Sequence, residues 1–246
     1  MNKRFGFTLA EVLITLGIIG VVAAMTIPTL IANTNGAKYR SQFKKTVSTL
    51  NQAALMAQAQ YDFDYAGTET TCSATTATAK GEHPEETMTF CAILNGTLTG
   101  QTYYGKDKIK RNSNGSETNY NFTSTSLKVL NGKTPDNFYK YTLADGAIIG
   151  FATDAKGCEL PIGTPMTGSW ITNNPKCLGF IDVNGAGLPN KEVHCTTDAN
   201  TANTVETPCG VKNDANHMTD IFPVVFHDAT VEPASNAAKF VLTTAK

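Results

Sequence analysis

The sequence predicts an α+β protein in which one long N-terminal helix packs on a small antiparallel β-sheet with long loops. Three observations predict this fold: an uncharged apolar run near the N-terminus, an amphipathic stripe that follows it, and short strand-like runs in the rest of the chain. Strands that come after a single long helix favour an antiparallel sheet.

Charge divides the chain into a basic N-terminal part and an acidic head (residues 61–246). Of the 246 residues, the first 60 contain six basic side chains and one acid, a net charge of +5. Because the whole chain has a net charge of -1, the head carries -6. This balance gives no indication of nucleic-acid binding, and no nucleic-acid partner is expected for the head.

The apolar run is long enough to cross a membrane. Residues 12–37 carry no charge, and residues 12–32 would span about 31 Å as a helix, close to the thickness of a bilayer core. Lys3 and Arg4 precede the run as in a secretory signal, but the run is longer than a typical signal core. The acid Glu11 at its start is either an interfacial carboxylate or a group that needs a partner from elsewhere.

The residues around Glu11 form a specific motif. The stretch Gly6-Phe7-Thr8-Leu9-Ala10-Glu11 follows a short basic leader and resembles the cleavage and methylation motif of type IV prepilins and type II secretion pseudopilins. The resemblance covers residues 1–35. It implies that a prepilin peptidase cuts between Gly6 and Phe7 and methylates the new amine of Phe7. It also implies helix-loosening positions at Gly20 and Pro28.

Within that interpretation, electrostatics gives Glu11 a role in assembly. Cleavage creates an amine on Phe7 that is cationic at neutral pH. In a bundle of identical helices, Glu11 of an incoming chain can pair with the Phe7 amine of a docked neighbour. In a low dielectric this pair rewards the correct axial register. Pro28 lacks an amide hydrogen, so the helix is expected to kink there, and residues 33–36 form a second soft spot.

The helical pattern resumes after residue 36 and continues to about residue 60. Its apolar side chains form a stripe that would pack on the sheet while the first half of the helix protrudes: Tyr39, Phe43, Val47, Leu50 and Ala54. Four basic side chains would contact lipid headgroups or acidic neighbours, or form a solvated face: Lys38, Arg40, Lys44 and Lys45. The chain thus divides into a leader (1–6), a helix (7–60, membrane-spanning over about 12–32) and the head (61–246).

Turn and strand signals predict the sheet of the head. The clearest signal is a hairpin, in which Tyr139, Tyr141 and Leu143 alternate with polar residues before the turn Asp145-Gly146 and the apolar run 147–151. Further strands are predicted over 178–183, 221–226 and 240–242. Pro223 predicts that the strand over 221–226 lies at an edge of the sheet.

Six cysteines lie in the head, and an even number beyond a membrane segment is typical of an oxidising compartment. Many pairings are compatible with the sequence, and free buried thiols are an alternative to any of them. The spacing favours three local pairs: Cys72 with Cys91, Cys158 with Cys177, and Cys195 with Cys209.

One loop of the head is a candidate site for structural calcium. The stretch 182–190, Asp-Val-Asn-Gly-Ala-Gly-Leu-Pro-Asn, resembles a loop of pilin-like heads, although an insertion of about residues 191–213 follows it here. Asp182, Asn184 and Asp220 would supply oxygen ligands. The alternative is an Asx-type turn in which these side chains satisfy their own hydrogen bonds.

The sequence predicts a structural protein, not an enzyme. No G-x-S-x-G, H-E-x-x-H or phosphate-loop motif occurs, and His194, Cys195 and Cys209 lack the spacing of a zinc site. The resemblance implies a subunit of a type IV pilus or type II secretion pseudopilus. Such a subunit is single-pass in the bacterial cytoplasmic membrane, with its N-terminus in the cytoplasm and its head outside.

The expected partners are prepilin peptidase, other pilin or pseudopilin subunits, the inner-membrane assembly platform and membrane lipid. Two alternatives remain at this stage. One is a minor subunit that primes or caps a fibre built of another subunit. The other is a signal-anchored binding protein or adhesin that never assembles.

Overall fold

One long helix precedes a six-stranded antiparallel sheet, as the sequence predicts. A computed structural model describes residues 8–73, 75–76, 84–105, 108–110, 117–119, 137–185, 187, 190–196, 209–211 and 219–244. The leader, the cleavage-site residues Gly6 and Phe7, and most of the insertion after the candidate calcium loop lie outside these ranges.

Short helices and strands follow the long first helix along the head. The helices are α1 (Leu9–Tyr61), α2 (Pro84–Thr87), α3 (Phe90–Thr97), α4 (Gly168–Asn173) and α5 (Asn236–Thr243). The strands are β1 (Thr102–Gly105), β2 (Lys108–Lys110), β3 (Glu117–Asn119), β4 (Phe138–Thr142), β5 (Ile148–Ala152), β6 (Leu178–Asp182), β7 (Ile221–His227) and β8 (Thr230–Pro233). The sheet order is β1-β4-β5-β6-β7-β8, and β2 and β3 form a separate antiparallel pair.

Helix α1 is continuous over 53 residues and is therefore about 80 Å long. It stays helical through Pro28 and through residues 33–36, so the predicted soft spot at 33–36 was wrong. The Thr34 hydroxyl donates to the Leu30 carbonyl at 2.8 Å there, and Gly36 is buried where the helix reaches the head. Kinking at Gly20 or Pro28 stays a prediction.

The first part of α1 protrudes from the head, and the second part packs on the sheet. In the stem (residues 9–35) the large apolar side chains are 44–77 % exposed, whereas all five residues of the predicted stripe are buried. Phe43 stacks on Phe222 of β7 with ring centroids 4.3 Å apart. The sequence therefore predicted correctly which part of α1 docks and which face it buries.

Aromatic side chains fill the core between the helices and the sheet. Tyr65 is fully buried between Phe90 and Phe226, with centroid distances of 5.0 and 5.1 Å. Its hydroxyl donates to the Leu50 carbonyl at 3.1 Å, and its amide donates to Asp228. The end of α1 is thereby fixed to the β7–β8 turn.

The predicted hairpin is confirmed as β4 and β5. The Leu143 amide donates to the Ala147 carbonyl at 2.8 Å, and the Gly146 amide donates to the Leu143 carbonyl at 2.9 Å. Gly146 has φ of 88°, a left-handed conformation that glycine adopts without strain. The Asp145-Gly146 turn therefore has a glycine at the position whose backbone conformation needs one.

Two strand predictions were wrong. Strand β7 lies inside the sheet between β6 and β8, not at an edge. The Pro223 carbonyl accepts the Ala234 amide at 2.9 Å, just beyond the end of β8, so the missing amide hydrogen removes one ladder bond at that end only. Residues 240–242 belong to α5, because the Ser235 hydroxyl caps the helix by accepting the Ala238 amide at 3.1 Å.

The six cysteines form three disulfides, each with the local pairing that the spacing favours. Cys158 and Cys177 are fully buried, and Cys158 also hydrogen-bonds through its backbone to Tyr65 and Asp228. The pairs are Cys72–Cys91, Cys158–Cys177 and Cys195–Cys209. The last pair joins the two ends of the insertion, and it leaves no thiolate there to bind zinc.

Candidate assembly site

The helix begins with a capping box built on Thr8 and Glu11. The Thr8 hydroxyl accepts the Glu11 amide at 3.3 Å, and the Glu11 carboxylate accepts the Thr8 amide at 2.8 Å. The same carboxylate oxygen, Oε2, also accepts the Thr8 hydroxyl at 2.8 Å. Glu11 is thus held on the first turn, where the helix dipole favours a negative charge.

The sequence interpretation placed Glu11 in the first turn but missed its partner Thr8. The signal was present, because a threonine followed three residues later by glutamate before an apolar run is the pattern of a capping box. The structure therefore gives Glu11 a partner within its own chain. The other oxygen, Oε1, accepts no hydrogen bond from the described residues, and the Glu11 residue is exposed.

The stem behind Glu11 is apolar on every side. It belongs to a helix that is long and apolar enough to cross a membrane, and its most apolar window has no part buried in the head. Gly20 lies in this stem with open space around it, so an added Cβ would meet nothing within 4 Å. A surface of this kind needs lipid or other apolar helices around it.

Two basic side chains at the junction hold α1 to the head. The Lys44 ammonium donates to the Thr244 carbonyl at 3.0 Å, just after α5. Lys45 forms an ion pair with Asp145 in the β4–β5 turn at 2.9 Å. Burial works against ionisation of Asp145, but the hydrogen bonds from Lys45 and the Ala147 amide, together with the charge of Lys45, outweigh it and lower the pKa of that carboxyl below its usual value.

The three candidate calcium ligands lie together at one end of β6 and β7. The Asp220 carboxylate accepts the amides of Asn190 and Lys191 at 2.9 and 2.8 Å, one on each oxygen, and the Asp182 carboxylate accepts the Asn184 amide at 3.1 Å. Burial raises the pKa of Asp220 despite these hydrogen bonds. Both carboxylates thus have partners without a cation, as in the Asx-type alternative, and calcium binding stays a prediction.

Comparison with known proteins bears on the N-terminus. A family model, the prokaryotic N-terminal methylation motif, matches residues 1–27. The chain carries a prepilin-type cleavage and methylation motif. No curated protein and no solved structure matches the chain.

The prepilin-type motif covers the leader, Glu11 and most of the apolar stem. Together with the stem and the disulfides, it supports a type IV pilin-like or pseudopilin-like protein anchored in a membrane. Gly6 and Phe7 belong to the matched sequence, and their geometry lies outside the described residues. Such a motif suggests a structural protein rather than an enzyme.

A cluster of charged groups at the β7–β8 turn was not predicted from the sequence. The His227 side chain is 7 % exposed, and its Nδ1 lies 2.9 Å from the Asp228 carboxylate. Its Nε2 lies 3.9 Å from the Glu232 carboxylate, within ion-pair range but too far for a hydrogen bond. Burial disfavours the protonated imidazole, but the two carboxylates outweigh burial and raise the pKa of His227 above its usual value of 6.5.

This cluster predicts that the head loses stability as the pH rises through neutrality. A raised pKa in the folded state means that His227 contributes its full stabilisation below about pH 6.5 and loses it above its folded pKa. The pKa of Glu232 is lowered by His227, so its contribution is present above about pH 4.5 and is lost as the pH falls below that. Thermal unfolding should therefore give the highest midpoint between about pH 4.5 and 6.5.

The single tryptophan offers a direct readout of this titration. Trp170 packs edge-on against His227 with ring centroids 6.1 Å apart, and a protonated imidazole quenches indole emission. Emission should rise with pH, with a midpoint above 6.5. His194→Gln should keep the transition and His227→Gln should remove it. A transition that survives His227→Gln would contradict the assignment.

Proposed function

We propose that the chain is a prepilin-type structural subunit that is cleaved between Gly6 and Phe7 and polymerises through α1 into a type IV pilus or type II secretion pseudopilus. One observation carries the proposal: a prepilin-type motif opens a helix whose apolar stem is exposed on all sides. A membrane covers that surface before assembly, and the stems of other subunits cover it afterwards.

Because α1 is continuous, the axial position of its N-terminus determines the axial position of the head. The helix is unbroken from the turn that holds Glu11 to its end at Tyr61, and its second half is docked on the sheet. Any contact that fixes the height of Glu11 in a bundle therefore fixes the height of the head. Register at one residue sets the spacing of the heads along the fibre.

The capping box prepares Glu11 for an intermolecular pair. Thr8 holds the carboxylate through Oε2 alone, which leaves Oε1 to accept from the methylated Phe7 amine of a neighbouring subunit. Cleavage creates that amine one residue before Thr8, so the box itself is kept in the mature chain. Prepilin peptidase, other subunits and the inner-membrane assembly platform are the partners in this mechanism.

Three disulfides and the acidic balance of the head support an extracytoplasmic position for it. The N-terminus then lies in the cytoplasm. On that side the membrane-embedded prepilin peptidase would cut the chain between Gly6 and Phe7. The disulfides, the acidic head and this orientation are equally compatible with a minor subunit that primes or caps the fibre. A signal-anchored adhesin that never assembles shares the topology but has no use for an exact cleavage motif.

Intact-mass measurement of the chain purified from membranes tests processing directly. We expect a mass that begins at Phe7 and carries one extra methyl group, because the leader is removed and the new amine is methylated. Gly6→Leu should leave the chain at full length, since a large side chain at this position blocks cleavage.

Ile162→Ala, at an exposed position of the head, is the control and should be processed normally. A native chain that keeps Met1 when the peptidase is present would rule out the proposed function. A chain that begins at Phe7 but never enters filaments would leave processing intact and favour the anchored alternative.

A further inference from the structure

The structure divides the four basic residues near the stem–head junction into two pairs. Lys44 and Lys45 are bound to the head through Thr244 and Asp145. Lys38 and Arg40 make no side-chain hydrogen bond or ion pair with the described part of the chain, and Arg40 Nε is buried without a partner. The described part of the head binds one pair of cations, and the other pair makes no such contact with it and can bind a partner outside the chain.

Lys38 and Arg40 lie on two sides of α1 at nearly the same height. They are two residues apart, which places them about 3 Å apart along the axis and about 200° apart around it. Lys38 is exposed, and Arg40 is half-buried beside the head. Because each Cα–Cβ bond of a helix tilts toward its N-terminus, both side chains lean back toward the apolar stem.

The height of these cations matches the headgroup layer of a bilayer. Lys38 lies six residues beyond the predicted membrane span of residues 12–32, which is about 9 Å along the helix axis. A headgroup layer is about 5–8 Å thick, and long basic side chains reach back to it from helix ends. Since residues 12–37 carry no charge, Lys38 and Arg40 are the first cations beyond the span.

We propose that Lys38 and Arg40 form a binding site for the phosphates of anionic phospholipids at the outer surface of the membrane. The proposal rests on the membrane-spanning orientation given under the proposed function. Lipid phosphates surround a spanning helix on all sides, which matches cations on opposite sides of α1. An acidic patch on one neighbouring subunit would face only one side of the helix.

The site adds a step to assembly. Before assembly the two cations seat the head on the lipid surface, so the stem stays at one depth in the bilayer. Extraction of the stem into a fibre breaks both contacts. Anionic lipid therefore holds the pool of subunits in the membrane and raises the work of extraction.

Native mass spectrometry of the full chain in detergent micelles tests the site. The micelles are titrated with phosphatidylglycerol or with phosphatidylcholine of the same acyl chains. If each cation contributes about fivefold, the wild-type chain should prefer phosphatidylglycerol by about 25-fold. The double variant Lys38→Gln/Arg40→Gln should bind both lipids equally.

Lys156→Gln is the matched control, because Lys156 is an exposed cation in the head after β5. It should keep the full preference for phosphatidylglycerol. Equal affinities in the wild type and the double variant would overturn the proposal. So would lipid-free dimers that the double variant loses, because they would identify an acidic neighbour as the partner. The same spectra report the N-terminal residue, so a failure of processing is seen separately.

Discussion

Glu11→Ala is expected to abolish filament assembly while the processed chain stays in the membrane. In the proposed assembly mechanism, the substitution removes the carboxylate that pairs with the Phe7 amine of a neighbour, and it leaves that amine buried without a counter-charge. Removal of one partner from a buried ion pair costs about 3–5 kcal/mol. A loss of this size per subunit lowers the equilibrium constant of each addition step by more than a hundredfold.

Two matched variants separate the charge of Glu11 from its capping role. Glu11→Gln keeps an oxygen that can accept the Thr8 amide but removes the charge, so it should fail like Glu11→Ala. Thr8→Val keeps the charge and removes the hydroxyl that caps the helix, a loss of about 1 kcal/mol. It should therefore reduce assembly only in part.

The measurement compares sheared filaments with the membrane fraction, and intact mass checks that each variant is processed. Filaments from Glu11→Ala at the wild-type level would remove the ion pair from the mechanism. Normal assembly of Glu11→Gln together with a defect in Thr8→Val would assign the effect to helix capping instead of charge. A variant that retains its leader would be scored as a processing defect.

The parts of the fold that could be predicted from the sequence are those governed by local pattern. The stripe from Tyr39 to Ala54 repeats with helical spacing, and the Asp145-Gly146 turn carries the residues that its geometry needs, so both were predicted correctly. The prediction of an edge strand from Pro223 was wrong because a proline is tolerated inside a sheet where the neighbouring strand ends. The end of β8 is set by tertiary pairing, which the sequence does not show. The strand predicted over residues 240–242 was wrong because a short apolar run is compatible with either a strand or a helix.

The candidate site was predictable where a motif specifies it and not where distant residues meet. Glu11 stood out because a lone acid opens an apolar run. Nothing in the sequence shows that Lys45 pairs with Asp145, 100 residues away, while Lys38 forms no side-chain hydrogen bond or ion pair with a described residue. The cluster of His227, Asp228 and Glu232 likewise depends on a tight turn that brings two carboxylates around one imidazole.

Phe43→Ala is expected to destabilise the head by about 3–5 kcal/mol, the usual cost of removing a buried aromatic side chain. Phe43 is fully buried and stacked on Phe222 with an interplanar angle of 17°. Folded proteins are stable by only about 5–15 kcal/mol, so the loss is a large share of the total. Denaturant unfolding of the full chain in mild detergent measures it.

Leu55→Ala is the matched control on the same helix, since Leu55 is 55 % exposed and should change stability by no more than about 0.5 kcal/mol. Equal midpoints for the two variants would contradict docking of α1 through Phe43.

The two largest effects, those of Glu11→Ala and Phe43→Ala, also differ in kind. In the proposed mechanism, Glu11→Ala should leave the head folded while the stem loses its axial register in the fibre, whereas Phe43→Ala should keep the register and destabilise the packing of the head on α1. The position of Glu11 in the fibre can set the position of the head only in a chain that keeps both the proposed Glu11 pair and the packing of Phe43 on Phe222.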